Sequence, residues 1–418
     1  MKKKEYVWVP RVVAIITFFG FSLFPLSDCN AQSALEPYKI GFSGAVTGPP
    51  AVSYTPLSDG LRLYITDLNE RGGINGRKIS LKFEDTAGAG TRAGASIKRF
   101  AGEKVHLIVL SAPSGTYAPA FEEVRRADIP LLVMSIGPHE TVPPKCERLI
   151  YGQIHGNAKN ATEIIVRIIK EQLVSKEKMP VWGIAGIDIP VSRKGAETQG
   201  VVGEKFGLKT VVKIAPLGLM DYTPVAASMM DAGCNIVSTW GSGGLTVGLF
   251  KALNKMGYKG VLYINTPDPP EHFIEIMQEN PSIVFTNPNS IPLWADFPVD
   301  REIKAKADKH GLKINSVVKT GWWYGMAVEE IFKRTGWPVT TEKLLSVLDH
   351  LDLDFGSAFP PIKYTTTDHQ GPVYQNGWSW SPEEKRFVVT LPWYVSNAAG
   401  TDIKVLPKSV GFPKVKFE

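Results

Sequence analysis

Residues 38–85 read YKIGFSGAVTGPPAVSYTPLSDGLRLYITDLNERGGINGRKISLKFED. A short apolar strand over 38–42 runs into a loop of Gly, Ser, Thr and Pro. Pro49 and Pro50 stiffen that loop, and Tyr54 offers a ring to stack and a hydroxyl to bond. After Asp59 the pattern turns helical, with Leu61, Ile65 and Leu68 on one face. Arg71-Gly72-Gly73 ends the helix, because glycine accepts the left-handed backbone of a C-terminal stop. Asn75-Gly76 turns the chain into a second strand over 78–84. The unit is βαβ, and its strand–loop–helix corner is where open α/β sheets hold ligands.

The same alternation runs outward along the chain. Apolar strands are expected over 105–110, 129–134, 149–151, 181–187, 210–214, 235–240, 261–265 and 283–286. Helices are expected over 91–101, 117–127, 158–173, 245–256, 273–278, 299–310 and 341–351, with a further one ending near 203. Strands alternating with helices predict an α/β protein with mainly parallel sheets and helices on both faces.

The 418 residues are 44% hydrophobic and 21% charged, which suits a globular protein of two domains or so. Of the formal charge of +6, about four units lie outside the first 31 residues, and the basic residues are scattered. With no basic block interleaved with aromatics, nucleic acid is not an expected partner. Residues 1–31 read as a secretion signal: Lys2, Lys3, Lys4 and Arg11 form a positive start, and 12–26 is an apolar stretch short for a membrane span. Cleavage is expected after Ala31, with lipidation of Cys29 as the alternative. Cys146 and Cys234 are left in an oxidising compartment, where they either pair or stay free thiols.

Motifs for chemistry are missing. Gly88-Ala89-Gly90 lacks the third glycine of a dinucleotide fingerprint, and the 241–244 glycine loop is not followed by the Lys-Ser/Thr of a phosphate cradle. There is no G-x-S-x-G, H-E-x-x-H or zinc spacing, so a secreted hydrolase has little support. His139-Glu140 has no nucleophile beside it and reads as a surface loop. Ser114 and Gly115 precede a helix, where hydroxyls and free N–H groups attract an anion or simply cap the helix.

The 38–85 stretch resembles the N-terminus of type I periplasmic substrate-binding proteins of ABC importers, the branched-chain amino acid (Leu/Ile/Val) binding family. Ile40-Gly41, Thr47-Gly48, Tyr54, Asn69, Gly72-Gly73-Ile74, Gly76-Arg77, Ile79 and Glu84-Asp85 carry the match, and it continues more weakly toward the C-terminus. The resemblance implies two doubly wound lobes joined by a three-crossover hinge. Lobe 1 would hold 38–153 plus 290–361, and lobe 2 would hold 154–289 plus 362–418. It implies that Ser114 grips a ligand carboxylate and that Ser135, Ile136 and Gly137 form the next pocket loop. Gly137 stands where the family has a threonine hydroxyl. A family tyrosine after the 181–187 strand is also missing: Ser192 or Arg193 takes its pocket role, or Arg193 is a solvated residue at a helix start. Trp240 is a strand end or a pocket wall, and Ser242 lies in the glycine loop beside it. Asp268 matches a carboxylate that pairs a ligand ammonium; the alternative is turn chemistry. Residues 320–334 resemble the family's long buried helix, in which Trp322 and Trp323 read as core or hinge packing, and the resemblance implies that Asp368-His369 is a structural turn.

The expected function is an extracytoplasmic, monomeric solute receptor that captures a branched-chain or other amino acid between its lobes and delivers it to an ABC permease. An aromatic or aliphatic carboxylate or a small amide is the alternative ligand, and a sensing module for a membrane receptor is the alternative role. No cofactor, metal or catalytic residue is expected.

Overall fold

The computed structural model describes residues 35–135, 138–143, 146–152, 158–173, 180–241, 243–265, 268, 270–286 and 291–417. The expected signal segment with Cys29, and Ile136, Gly137 and Ser242, lie outside the described residues.

The chain builds one lobe, crosses to a second and returns. It begins β1 (Tyr38–Gly44), α1 (Ala51–Glu70), β2 (Ile79–Asp85), α2 (Gly90–Gly102), β3 (Leu107–Ser111), α3 (Tyr117–Ala127), β4 (Leu131–Val133) and β5 (Ile150–Gly152). The second lobe follows with α4 (Ala158–Ile168), β6 (Val181–Ile187), α5 (Pro190–Lys205), β7 (Lys209–Ala215), α6 (Thr223–Asp231), β8 (Ile236–Trp240), α7 (Gly243–Lys255), β9 (Val261–Asn265), α8 (Ile274–Glu279) and β10 (Val284–Thr286). The chain then adds α9 (Pro298–Lys309), α10 (Ser316–Thr335), α11 (Thr341–Leu348), β11 (Asp352–Leu353) and β12 (Ile362–Lys363) to the first lobe. It ends on β13 (Val373–Ser381), β14 (Arg386–Ser396) and β15 (Ile403–Leu406) in the second.

The first sheet has the order β2-β1-β3-β4-β5 and is parallel throughout. The second runs β15-β14-β13-β10-β9-β8-β6-β7. Its β7-β6-β8-β9-β10 part is parallel, and β13, β14 and β15 are antiparallel additions. Successive side chains of a buried strand feed opposite faces. Trp182, Ile184, Ile236 and Tyr263 therefore serve one core layer, and Ala185, Ile187, Val237, Leu262 and Ile264 the other.

Several elements depart from the sequence reading. Helix α1 begins at Ala51, so Tyr54 lies in a helix rather than a loop. That first turn carries no apolar stripe to signal it: Val52 is 55% exposed, and the stripe starts at Leu57. Helix α10 starts at Ser316, four residues before the expected 320, because the Asn315 side chain accepts from the Val317 and Val318 N–H groups at 3.0 Å. The expected 158–173 helix is α-helical to Ile168 and closes on a wider π turn over Ile169–Leu173. Strands β13 to β15 are not legible in the sequence, since β13 is buried on both faces yet carries Gln375, Asn376 and Ser379, and a register shift at Gly377 breaks its period.

Helices α1 and α10 cross at two glycines. A Cβ on Gly60 would sit 2.0 Å from the Val318 carbonyl oxygen, and one on Gly321 would sit 2.1 Å from that of Leu57. Only hydrogen at both positions allows this approach. The crossing fixes the N-terminal turns of both helices, which carry residues of the site described next. Among the described residues no helix is long and apolar enough to cross a membrane.

Candidate functional site

The strand orders locate the site. In the first sheet the direction of building reverses between β1 and β3; in the second it reverses between β6 and β8. Ligands of open α/β sheets bind at such reversals, beyond the carboxyl ends of the strands. The described loop residues there are 45–50, 112–116, 188–189 and 241.

Asp85, at the end of β2, shapes the first loop. One oxygen accepts from the N–H groups of Val46 (3.0 Å), Thr47 (3.2 Å) and Ala87 (2.9 Å), and the other from the Thr47 hydroxyl at 2.5 Å. Burial pushes this carboxyl up, but the Thr47, Ala87 and Val46 hydrogen bonds outweigh it and hold it below its ordinary value. The loop is therefore a rigid lead into α1.

Two residues of α1's first turn then meet the second lobe. The Ser53 hydroxyl donates to Asp268 Oδ1 at 2.5 Å, across 215 residues of chain. Asp268 is only 3% exposed, and its other oxygen lies 3.2 Å from where Gly243, the first residue of α7, would carry a Cβ. A carboxylate at that place faces the positive end of the helix dipole, which favours its charge. Tyr54 is beside it: burial first, and then the Asp268 charge, push its phenol well above the ordinary range. The ring is thus a neutral hydrogen-bonding group.

On the other side of the first-lobe reversal, Ser114 opens a single 3-10 turn, Ser114–Thr116, that leads directly into α3. Ser114 is half-buried and Gly115 exposed, and the Thr116 hydroxyl closes the turn on the Pro113 carbonyl at 2.8 Å. Tyr117, the next residue, is buried and hydrogen-bonded to the Ser135 hydroxyl. Ser135 in turn donates to the Ala112 carbonyl at 3.1 Å. Burial, and after it the neighbouring Tyr54, hold the Tyr117 phenol far above its ordinary value. Tyr54, Tyr117, Ser135 and Asp268 therefore gather around one interlobe space.

The structure gives other partners to two expected pocket residues. Ser192 is buried, accepting from the Ile187 N–H at 2.8 Å and donating to the Trp240 carbonyl, so its hydroxyl stitches α5 to β6 and β8. Arg193 is surface-exposed and ion-paired with Asp188 at 2.9 Å and Glu197 at 3.7 Å. Trp240 is half-buried with its indole laid over α5, where a Cβ on Gly195 would meet Nε1 at 1.8 Å. This ring is a packing surface between β8 and α5.

Residues 37–377 match the model of a family described as periplasmic binding protein. The chain belongs to that family. Among curated relatives it is similar to Leu/Ile/Val-binding protein homolog 1 of Brucella abortus (strain 2308), 24% identical over 217 residues, or 50% of this chain and 55% of that one. A second relative, Leu/Ile/Val-binding protein homolog 2 of the same organism, is 24% identical over 54% of this chain and 58% of its own. The chain thus spans little more than half the length of the curated relatives it matches. Two solved structures share the fold. One is a fatty acid ABC transporter substrate-binding protein from Thermomonospora curvata (TM-score 0.69, 15% identity, 90% of this chain and 96% of that one). The other is an R. palustris ABC transporter solute-binding protein in complex with 4-hydroxybenzoate (TM-score 0.70, 16% identity, 85% and 96%). The fold is that of type I periplasmic binding proteins, α/β with mainly parallel sheets in two lobes.

Sequence reasoning missed three residues of this periplasmic binding protein that the fold brings to the lobe boundary. Ser53 precedes Tyr54, Tyr117 lies three residues after Ser114, and Glu271 lies three after Asp268. Each sits one residue or one turn from a residue that was singled out, and that spacing was the available signal. Glu271 accepts from the Ser316 N–H at 3.1 Å and its hydroxyl at 2.7 Å, at the first turn of α10. No group of three or more metal-ligating side chains occurs among the described residues.

Proposed function

We propose that this periplasmic binding protein is the extracytoplasmic solute receptor of an ABC importer, capturing a small molecule between its lobes and handing it to a membrane permease. The Ser53–Asp268 hydrogen bond carries the reading, because it joins the lobes beyond the carboxyl ends of both sheets. A ligand entering there meets a buried carboxylate at Asp268, two phenol hydroxyls at Tyr54 and Tyr117, and the Ser114–Gly115 turn. An α-amino acid fits that set: its ammonium replaces the Ser53 hydroxyl on Asp268, and its carboxylate takes the Ser114 hydroxyl and the N–H groups of the turn. Lobe closure then excludes water and strengthens both contacts. The family relatives named for Leu, Ile and Val support this ligand class. The role proposed is binding and delivery of the solute.

A second reading takes an aromatic carboxylate. The observation that favours it is the pair of neutral tyrosine phenols at the cleft, suited to a planar ligand and its hydroxyl. Two similar proteins from Rhodopseudomonas palustris are described in complex with 4-hydroxybenzoate and 3,4-dihydroxy benzoic acid.

A thermal-shift screen of the mature protein against amino acids, hydroxybenzoates, short-chain acids and amides separates these readings. A ligand at 100 times its dissociation constant stabilises the fold by about 2.7 kcal/mol. Selective shifts with amino acids support the first reading, and shifts confined to acids without an amine support the second. No shift across the panel, and no small molecule released on denaturation for mass spectrometry, overturns both.

A further inference from the structure

Asp268 and the 270–273 turn of the second lobe present two carboxylates to the first lobe. Asp268 takes the Ser53 hydroxyl of α1, and Glu271 takes the N–H and hydroxyl of Ser316 at the start of α10. The two helices are locked to each other at the Gly60–Gly321 crossing, so their first turns form one fixed receiving surface. Both carboxylates meet helix N-terminal turns, where the helix dipole favours an acceptor, Asp268 through the Ser53 hydroxyl and Glu271 through the Ser316 N–H as well as its hydroxyl. The two acidic residues are spaced like teeth of one clasp, and neither was needed to build either sheet.

We propose that Asp268 and Glu271 form an interlobe clasp that holds the cleft closed, and that Glu271 makes closure stronger as the pH falls. This rests on the reading of the protein as a two-lobed solute receptor, but the clasp is a property of the closed protein without its ligand.

The chemistry of Glu271 sets the direction. Its Oε1 has the Ser316 bonds, while Oε2 is buried with no hydrogen-bond partner. Burial raises its carboxyl above the ordinary value, and the bonds from Ser316 only partly offset this. From its own turn the charged neighbour is His272, which lowers it. Glu275, one turn on, is drawn to Lys251 at 2.9 Å. On α10 the nearest cation in sequence, Lys319, is held by Asp300 at 2.7 Å and by the Pro292 carbonyl at 3.1 Å. No cation among these neutralises Glu271. When the lobes part, Glu271 returns to water and to an ordinary carboxyl value. Closing therefore takes up a proton, and closure gains as pH falls from neutral toward the ordinary carboxyl range. Protonation also gives Oε2 a hydrogen to donate, which the anion lacks.

The test needs no ligand. Nitroxide labels at Lys98→Cys on α2 and Lys255→Cys on α7, both exposed, report the interlobe distance by pulsed electron resonance in a Cys146→Ser, Cys234→Ser background. Each unit by which the closed-state value exceeds the open-state one changes the closed-to-open ratio by up to about tenfold. The wild-type short-distance population is expected to rise severalfold between about pH 7.5 and about pH 5. Glu271→Gln, which keeps the acceptor for Ser316 but cannot titrate, is expected to stay mostly closed at both pH values. Glu271→Ala is expected to shift toward the long distance at both, with circular dichroism confirming that each variant is folded. A wild-type distribution that ignores pH, or a Glu271→Gln variant that follows pH as wild type does, overturns the proposal. A silent ligand panel leaves it untouched, because the distances are measured on the ligand-free chain.

Discussion

At the scale of single residues, two side chains make separable claims. Ser114 stands half-buried at the turn before α3, with no other protein group using its hydroxyl among the described residues. We expect Ser114→Ala to weaken binding of a carboxylate ligand by about 1–3 kcal/mol without lowering the melting temperature; isothermal titration with the panel's best ligand measures it. His369 works differently. Its Nδ1 bonds the Ile150 carbonyl at 3.0 Å, its ring stacks on Tyr151 at 4.0 Å, and its Nε2 is buried without a hydrogen bond, 3.5 Å from Asp349. Burial pushes this imidazole down, more than the Ile150 carbonyl and the Asp349 charge push it up. The folded state therefore favours neutral His369. Its contribution to stability is full above the ordinary value of about 6.5 and is lost as pH falls through the lower folded-state value. Melting temperatures recorded from about pH 8 to about pH 5 should fall less steeply in His369→Gln than in wild type. Equal slopes would remove His369 from the acid response.

At the scale of elements, α10 is the beam on which the first lobe hangs. Sixteen of its residues are buried, among them Lys319, which is fully buried. Its ammonium meets Asp300 at 2.7 Å, the Pro292 carbonyl at 3.1 Å, and the faces of Phe297 and Phe359 at 5.1 and 5.3 Å. Asp300 also accepts the Phe297 N–H at 2.8 Å, so the pair joins α10 to the start of α9. Burial pushes the Lys319 ammonium down, and Asp300 restores part of it. Removing one partner of a buried pair leaves the other charge uncompensated. Lys319→Met is expected to cost about 3–5 kcal/mol in urea unfolding, and adding Asp300→Asn, which keeps the cap, should recover a large part of that loss. Additive losses in the double variant would mean that the two residues act separately.

At the scale of the whole molecule, the chain beyond β15 ties the lobes together a further time. The Ser409 carbonyl accepts from Trp393 Nε1 at 3.0 Å and Asn376 Nδ2 at 3.3 Å, both on the second sheet. Phe412 then packs its ring on Trp393 (4.9 Å) and Tyr374 (5.7 Å), while its N–H reaches the Ser357 carbonyl of the first lobe at 2.8 Å. Lys414 pairs with Asp354 at 2.9 Å on the same loop, an exposed bridge worth little by itself. The buried ring is the main contribution. Phe412→Ala is expected to destabilise by about 3–5 kcal/mol, read from urea unfolding, and to raise hydrogen exchange at its Ser357-bonded amide. This strap lies outside residues 37–377, the span shared with the family.

The sequence alone determined the α/β class, the first βαβ unit, the register of polar turns and the family resemblance. These follow from local periodicity and from glycines and prolines whose backbone demands are local. The family resemblance also singled out Ser114, Ser135 and Asp268, and the first βαβ corner singled out Tyr54. What only the tertiary structure decided were relations across long stretches of chain. Ser192 could be judged only after β8 brought the Trp240 carbonyl to its hydroxyl, and Arg193 only after Asp188 was seen to hold it. Cys146 and Cys234 are free thiols in the fold, half-buried and buried. The Ser53–Asp268 bond spans 215 residues and the glycine crossing joins positions 60 and 321. A hydrogen bond or a packing contact has no period along the chain, so its partner is fixed by the three-dimensional path rather than by the residues that flank it.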